Sequence, residues 1–134
     1  MTTHPQYRII TIACVAIAAS ITSGSCATAD PELPKSSLEL TISTGEQPKP
    51  DAQRISVTCE PAGGTHERPE AACAALDKVN GSFGDLPADP TAVCIQIYDP
   101  VTVAATGTWR GTPVQWQRTF ANSCELHAGT AGVF

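Results

Sequence analysis

The sequence predicts an α+β domain, a small antiparallel β-sheet with one main helix and a short one, held together by two disulfides. Apolar and polar residues alternate in four short segments, and one further segment has helical spacing. Four cysteines follow an N-terminal apolar segment, an even number that indicates paired cysteines in an exported chain. A domain of roughly 100 residues buries a modest core, so its disulfides should contribute strongly to stability.

Residues 1–29 predict an export signal. Arg8 precedes an apolar run at 9–21, whose 13 residues fall short of the roughly 20 that span a bilayer. The small-x-small pattern at 27–29 predicts release before Asp30. Alternatively, the signal ends before Cys26, which would then carry a lipid. The chain is expected to be secreted, or lipid-anchored at the cell envelope.

Residues 30–37 are polar and contain proline, which predicts a flexible leader before a domain at 38–134. Four strands are indicated by apolar residues at every second position, at 38–42, 55–59, 101–105 and 114–120. A turn at 111–113 is expected to join the last two.

The main helix is predicted over residues 70–79. Pro69 suits the first helical position, Glu70 complements the helix dipole, and the Asn-Gly pair at 80–81 stops the helix. Residues 82–92 are rich in Gly, Pro and Asp, which predicts a loop with one helical turn.

The four cysteines of the domain are Cys59, Cys73, Cys94 and Cys124. Their spacings of 14, 21 and 30 residues include no C-x-x-C pair, so we expect disulfides and no metal site. Four cysteines allow three pairings, among which spacing does not choose.

Charge and motifs exclude several function classes. From Asp30 onward the chain has 7 basic and 13 acidic residues, a net charge of −6, which gives no support for nucleic-acid binding. It has no G-x-S-x-G, H-E-x-x-H or phosphate-binding glycine loop, and paired cysteines leave none for a Cys–His hydrolase. We therefore expect no enzyme and no cofactor.

Residues 93–100 (VCIQIYDP) combine large apolar side chains with a cysteine and an Asp-Pro end. On pattern alone, this segment predicts a buried edge strand. Its position after a loop rich in turn residues leaves open a functional loop.

Residues 38–134 contain a set of short blocks: VTCEP (57–61), GTH (64–66), AACA (71–74), VC (93–94), YDPV (98–101), GTW (107–109) and FANSCE (120–125). In their order and near-family spacing, these blocks make residues 38–134 resemble the Streptomyces subtilisin inhibitor family. This resemblance implies a serine protease inhibitor that offers a subtilisin-like protease a substrate-like loop.

The resemblance implies the pairings Cys59–Cys73 and Cys94–Cys124. On a chain-entropy model these bonds would contribute about 3 and about 3.7 kcal/mol to stability.

It also implies a reactive bond at Gln96–Ile97. Gln96 would enter the primary specificity pocket of the protease. Val93, Cys94 and Ile95 would lie on the acyl side, and Ile97 and Tyr98 on the leaving side. Because Gln96 is neutral, we expect inhibition of subtilisin and weak or no inhibition of trypsin.

Further expectations concern partners and supporting residues. Asn122 is interpreted as a brace behind the loop, or else as an ordinary turn residue. The family's sheet face forms a homodimer, which implies a dimer here.

Two alternatives to inhibition remain: a non-inhibitory, envelope-anchored binding module on the same scaffold, and Gln96 as an acyl donor for a transglutaminase.

Overall fold

The structure is a computed structural model that describes residues 31–134. Five strands form one antiparallel sheet in the order β3-β2-β1-β4-β5. Their bounds are β1 Ser36–Thr44, β2 Gln53–Cys59, β3 Gly63–Gly64, β4 Val101–Trp109 and β5 Thr112–Phe120. Two helices, α1 (Pro69–Lys78) and α2 (Ser123–Gly129), and one 3-10 turn (Phe83–Asp85) complete the fold, so the predicted α+β class is confirmed.

One face of the sheet forms the core. Every second side chain of a strand points to the same face of the sheet, and paired strands share these faces. The core face therefore carries the buried side chains of Leu38, Leu40, Val57 and Val103. Leu76 of α1 packs into the same cluster. The opposite face carries polar side chains, which is the usual division for an antiparallel sheet with one covered face.

The sheet starts earlier than the sequence pattern indicates. Ser36 and Ser37, which the sequence places in the flexible leader, belong to β1 and pair with Cys59 and Thr58. Ser36 is buried, and its hydroxyl accepts a hydrogen bond of 3.0 Å from the backbone N–H of Arg110. A buried serine that accepts a backbone hydrogen bond gives no hydrophobic signal, so the alternation first becomes visible at Leu38.

The turn between β4 and β5 also differs from the prediction. Trp109 pairs with Thr112, so the connection is Arg110-Gly111, whereas the predicted turn is at 111–113. Both residues have positive φ, 45° and 83°, as a tight hairpin turn of the primed type requires. Gly111 meets this requirement without strain.

The part of the chain that the structure describes contains no helix long and apolar enough to cross a bilayer. The predicted signal at 1–29 and the alternative anchor at Cys26 lie outside the described residues.

Candidate functional site

Residues 92–100 form an exposed segment without strand pairing, between the 3-10 turn and β4. The exposed fractions are 93% for Val93, 68% for Ile95, 54% for Ile97 and 67% for Tyr98. The buried edge strand that the apolar pattern predicts is therefore wrong. Apart from Leu33, these four are the large apolar side chains exposed within residues 31–134, a concentration typical of an interaction site.

The disulfide Cys94–Cys124 anchors the start of this loop to the first turn of α2, with 5.7 Å between the Cα atoms. The second bond is Cys59–Cys73, which joins the end of β2 to α1. Both are the pairings that the family resemblance implies. The Cys94–Cys124 bond fixes the backbone two residues before Gln96.

Asn122 connects the loop to the body of the domain. The residue is 7% exposed, and its Nδ2 donates to the carbonyl oxygens of Ile95 (3.3 Å) and Ile97 (2.9 Å). Its Oδ1 accepts from the N–H of Glu125 (3.0 Å), which makes it the N-cap of α2. One buried amide therefore begins a helix and holds the two carbonyls that flank Gln96.

The backbone turns at Gln96. The N–H of Ile97 donates to the carbonyl of Ile95 (2.9 Å), which closes a three-residue turn with Gln96 at its centre. The Gln96 side chain is exposed and makes no hydrogen bond within the described residues. The peptide bond between Gln96 and Ile97 thus lies at the tip of a loop that is braced from behind.

The far side of the loop is held by contacts that the sequence does not reveal. The N–H of Asp99 donates to the carbonyl of Ala121 (2.9 Å), and the Tyr98 hydroxyl donates to the carboxylate of Glu46 in the β1–β2 turn. The hydrogen bond to Glu46 raises the pKa of Tyr98 above its ordinary value of 10.0, so the phenol stays protonated. Glu46 lies in a turn 52 residues before Tyr98, and turn composition carries no signal for such a contact.

The approach to the loop is also ordered. Asp89 accepts hydrogen bonds from the N–H (2.8 Å) and hydroxyl (2.7 Å) of Thr91, and these bonds lower the pKa of the Asp89 carboxyl. The N–H of Asp89 donates to the carbonyl of Ala128 in α2 (2.7 Å). An open cleft of about 530 Å³ runs beneath the loop between Gln96 and Arg118.

Among residues 31–134, no group of three or more His, Cys, Asp or Glu side chains is placed to hold a metal ion. The site consists instead of an exposed loop with apolar side chains, held from behind by the disulfide and by Asn122. Such an arrangement suits recognition by another protein.

Comparisons with known proteins agree with this geometry. Residues 34–122 match the family model described as subtilisin inhibitor-like. Subtilisin inhibitor-like protein 5 of Streptomyces fradiae is 45% identical over 100 residues, covering 72% of this chain and 94% of the relative. Subtilisin inhibitor of Streptomyces violaceus is 41% identical over 128 residues, covering 87% of this chain and 88% of the relative.

A solved structure is similar in fold and sequence. It is sermetstatin of Streptomyces caespitosus in complex with subtilisin of Bacillus licheniformis. The TM-score is 0.63 at 34% identity, and the match covers 74% of this chain and 96% of that one.

Proposed function

Because the chain belongs to the subtilisin inhibitor-like family, we propose that it inhibits a subtilisin-like serine protease by presenting residues 93–98 as a substrate-like loop. The observation that carries this proposal is the pairing of exposure with rigidity. Ile95 and Ile97 expose their side chains, whereas Asn122 holds their carbonyls and Cys94 is bonded to Cys124. The family is one of inhibitors, in agreement with the prediction that the chain is not an enzyme.

Rigidity explains how such a loop gains affinity. A flexible peptide loses roughly 1–2 kcal/mol of backbone conformational free energy per residue when it is fixed in a protease cleft. A loop already held at Cys94, Ile95, Ile97 and Asp99 has lost much of this freedom on folding, so more of the contact energy appears as affinity. The loop backbone makes no strand pairing within the described domain, so it can also hydrogen-bond to the edge of the cleft.

We place the reactive bond at Gln96–Ile97. The serine oxygen of the protease would attack the Gln96 carbonyl carbon, the C–N bond would break, and the serine proton would pass through the protease histidine to the Ile97 amine. That amine stays close because the Asn122 side chain holds the Ile97 carbonyl by a hydrogen bond. This hydrogen bond is on the leaving side and does not depend on the disulfide at Cys94. The amine can attack the acyl ester and restore the peptide bond, so turnover is slow.

Gln96 sets the expected specificity. Its neutral amide supplies no cation for the aspartate of a trypsin pocket, whereas Val93 offers an apolar side chain to a subsite further along a subtilisin cleft. We therefore propose subtilisin-like proteases as the partners, with trypsin inhibited weakly or not at all. Burial of the unpaired Gln96 amide would cost some affinity even in a broad pocket.

We also propose that the chain is exported by the signal at 1–29 and is secreted, with anchoring at Cys26 as the alternative. A homodimer through the outer sheet face is the expected assembly. That face carries polar side chains such as Glu39, Thr106 and Gln117, which would give a polar dimer contact. The non-inhibitory binding module has no specific contact in its favour, and the transglutaminase substrate has only the exposure of Gln96.

Active-site titration of subtilisin and trypsin in parallel tests the proposed function. The oxidised domain is expected to abolish subtilisin activity at one loop per protease and to leave trypsin active. A Gln96→Lys variant should gain trypsin inhibition, and so serves as the control that the loop can enter a trypsin cleft. Failure of the native domain to inhibit subtilisin would refute the proposal.

A further inference from the structure

The two sides of the proposed reactive bond are held by different means. Cys94 fixes the acyl side covalently, two residues before Gln96. Residues 97–100 contain no cysteine, so the leaving side depends on hydrogen bonds. Two of these come from residues 121–122, at the Ile97 carbonyl (2.9 Å) and the Asp99 N–H (2.9 Å).

The β1–β2 turn provides the other support of the leaving side. The N–H of Gly45 donates to the Pro100 carbonyl (2.6 Å), and the Gly45 carbonyl accepts from the Thr102 hydroxyl (2.8 Å). Further along the turn, the N–H of Lys49 donates to the hydroxyl of Ser43, which is buried (3.1 Å). The backbone of this turn is therefore fixed directly beside the loop.

Glu46 extends from this fixed backbone to the loop. Its carboxylate accepts the hydrogen bond of the Tyr98 hydroxyl, and Tyr98 is the residue after Ile97. This hydrogen bond raises the pKa of Tyr98 above its ordinary value, so the phenol that donates it is protonated at neutral pH. In the same turn, the Nζ of Lys49 donates to Thr44 Oγ1 (3.1 Å), and in the loop Asp99 follows Tyr98.

We propose that Glu46 is a positioning residue for the leaving side of the loop, an inference that rests on the proposed function above. By holding Tyr98, it keeps the newly formed amine of Ile97 beside the acyl-enzyme, where the amine re-forms the peptide bond. Without Glu46, residues 97–98 move more freely, and water attacks the ester before the amine returns. Glu46 thus slows the conversion of inhibitor into released, nicked product.

The test uses Glu46→Ala, Tyr98→Phe and the double variant, with Asp51→Ala as the matched control. Asp51 is an exposed carboxylate of the same turn that makes no side-chain hydrogen bond within the described residues. We expect each single variant to release nicked product roughly tenfold faster than the native domain under catalytic subtilisin, as loss of one charge-assisted hydrogen bond predicts. The double variant should be no faster than either single one, and Glu46→Gln, which retains an acceptor, should recover part of the loss.

Absorbance titration of Tyr98 gives a readout that needs no protease. The phenol should titrate at lower pH in Glu46→Ala than in the native domain and Asp51→Ala. If nicked product accumulates at the native rate in Glu46→Ala, or equally fast in Asp51→Ala, the positioning role is wrong even though inhibition stands. If the native domain does not inhibit at all, the proposed function fails, and the Tyr98 titration alone still reports whether the contact forms.

Discussion

The two disulfides span the same 5.7 Å between Cα atoms but lie in opposite surroundings. Cys59 is 2% exposed and joins β2 to α1 beside the buried side chains of Val57 and Leu76. Cys94–Cys124 lies beneath a loop whose apolar side chains all point to water. Cys59–Cys73 holds the core together, whereas Cys94–Cys124 holds the loop that we propose binds a protease.

This difference shows that covalent geometry alone does not assign a role to a disulfide. Loop-closure entropy depends on the length of chain between the cysteines, so both bonds should stabilise the fold by similar amounts, about 3 and about 3.7 kcal/mol. The roles of the two bonds should therefore be distinguished only when inhibition is measured as well as stability.

The largest effect is expected from Cys94→Ala/Cys124→Ala. Several loop residues regain about 1–2 kcal/mol each of conformational freedom, so affinity for subtilisin should fall roughly 10²–10⁴-fold and the loop should be digested rapidly. Inhibition constants are measured at a temperature where circular dichroism shows the variant folded. Native-level inhibition by this folded variant would contradict the assigned role of the bond.

Cys59→Ala/Cys73→Ala should show the reverse pattern. We expect the free energy of unfolding to fall by about 3 kcal/mol and the Tm by roughly 10–20 °C. Below the Tm, inhibition should stay within about twofold of native, since the loop keeps its own anchors. Calorimetry measures the loss of stability, and inhibition assays on the same preparation measure the affinity for subtilisin. A large loss of inhibition in the folded variant would show that the two disulfides do not have separate roles.

Asn122→Ser tests the brace apart from the helix cap. Serine retains an N-cap acceptor for Glu125 but cannot donate to both Ile95 and Ile97, so inhibition should weaken by roughly tenfold per lost hydrogen bond with little change in Tm. Asn122→Ala removes the cap as well and should lower stability by a further ~1 kcal/mol. Equal inhibition by the native domain and Asn122→Ser would argue against a brace.

The smallest effect is expected from Arg110→Gln, beside the buried disulfide. Arg110 donates to Glu60 (2.9 and 3.1 Å) and lies 2.7 Å from Asp77 Oδ1, and the hydrogen bond to Glu60 lowers the pKa of that carboxyl from its ordinary value of 4.5. A lowered pKa in the folded state contributes stability above pH 4.5 and loses it as the pH falls through the folded value. The variant should therefore be slightly less stable than native at neutral pH, and the difference should shrink in acid.

Urea midpoints at neutral and acid pH measure this change, with inhibition at neutral pH expected to match native. A stability difference that is independent of pH would show that the Arg110–Glu60 contact does not contribute in this way.

Much of the fold follows from local patterns in the sequence. Alternation at Leu38 and Leu40 and the signals from Pro69 to Gly81 locate β1 and α1 to within two residues. Helix α2 is not predicted, since its seven residues are too few to show helical periodicity. The two residues of β3 are both glycine, which has no side chain to mark a face.

The site is less accessible to pattern reasoning. Periodicity does not distinguish apolar side chains of a core from apolar side chains of a binding surface. The pattern at Ile95 and Ile97 therefore favours a buried strand, and the family resemblance is what indicates an exposed loop. Asn122 is open to two interpretations in sequence, and its side chain both caps α2 and donates to the Ile97 carbonyl. Glu46 is missed because its contact with Tyr98 depends on how two distant loops meet.

The position and reversibility of cleavage distinguish a rigid reactive loop from an ordinary protease substrate. The oxidised domain is incubated with catalytic subtilisin and followed by mass spectrometry. A single slow cut at Gln96–Ile97, with the isolated nicked form partly resealed when protease is added back, is the predicted result. Rapid cleavage at several bonds, or a slow cut at another bond, would contradict the account of a rigid loop with its reactive bond at that position.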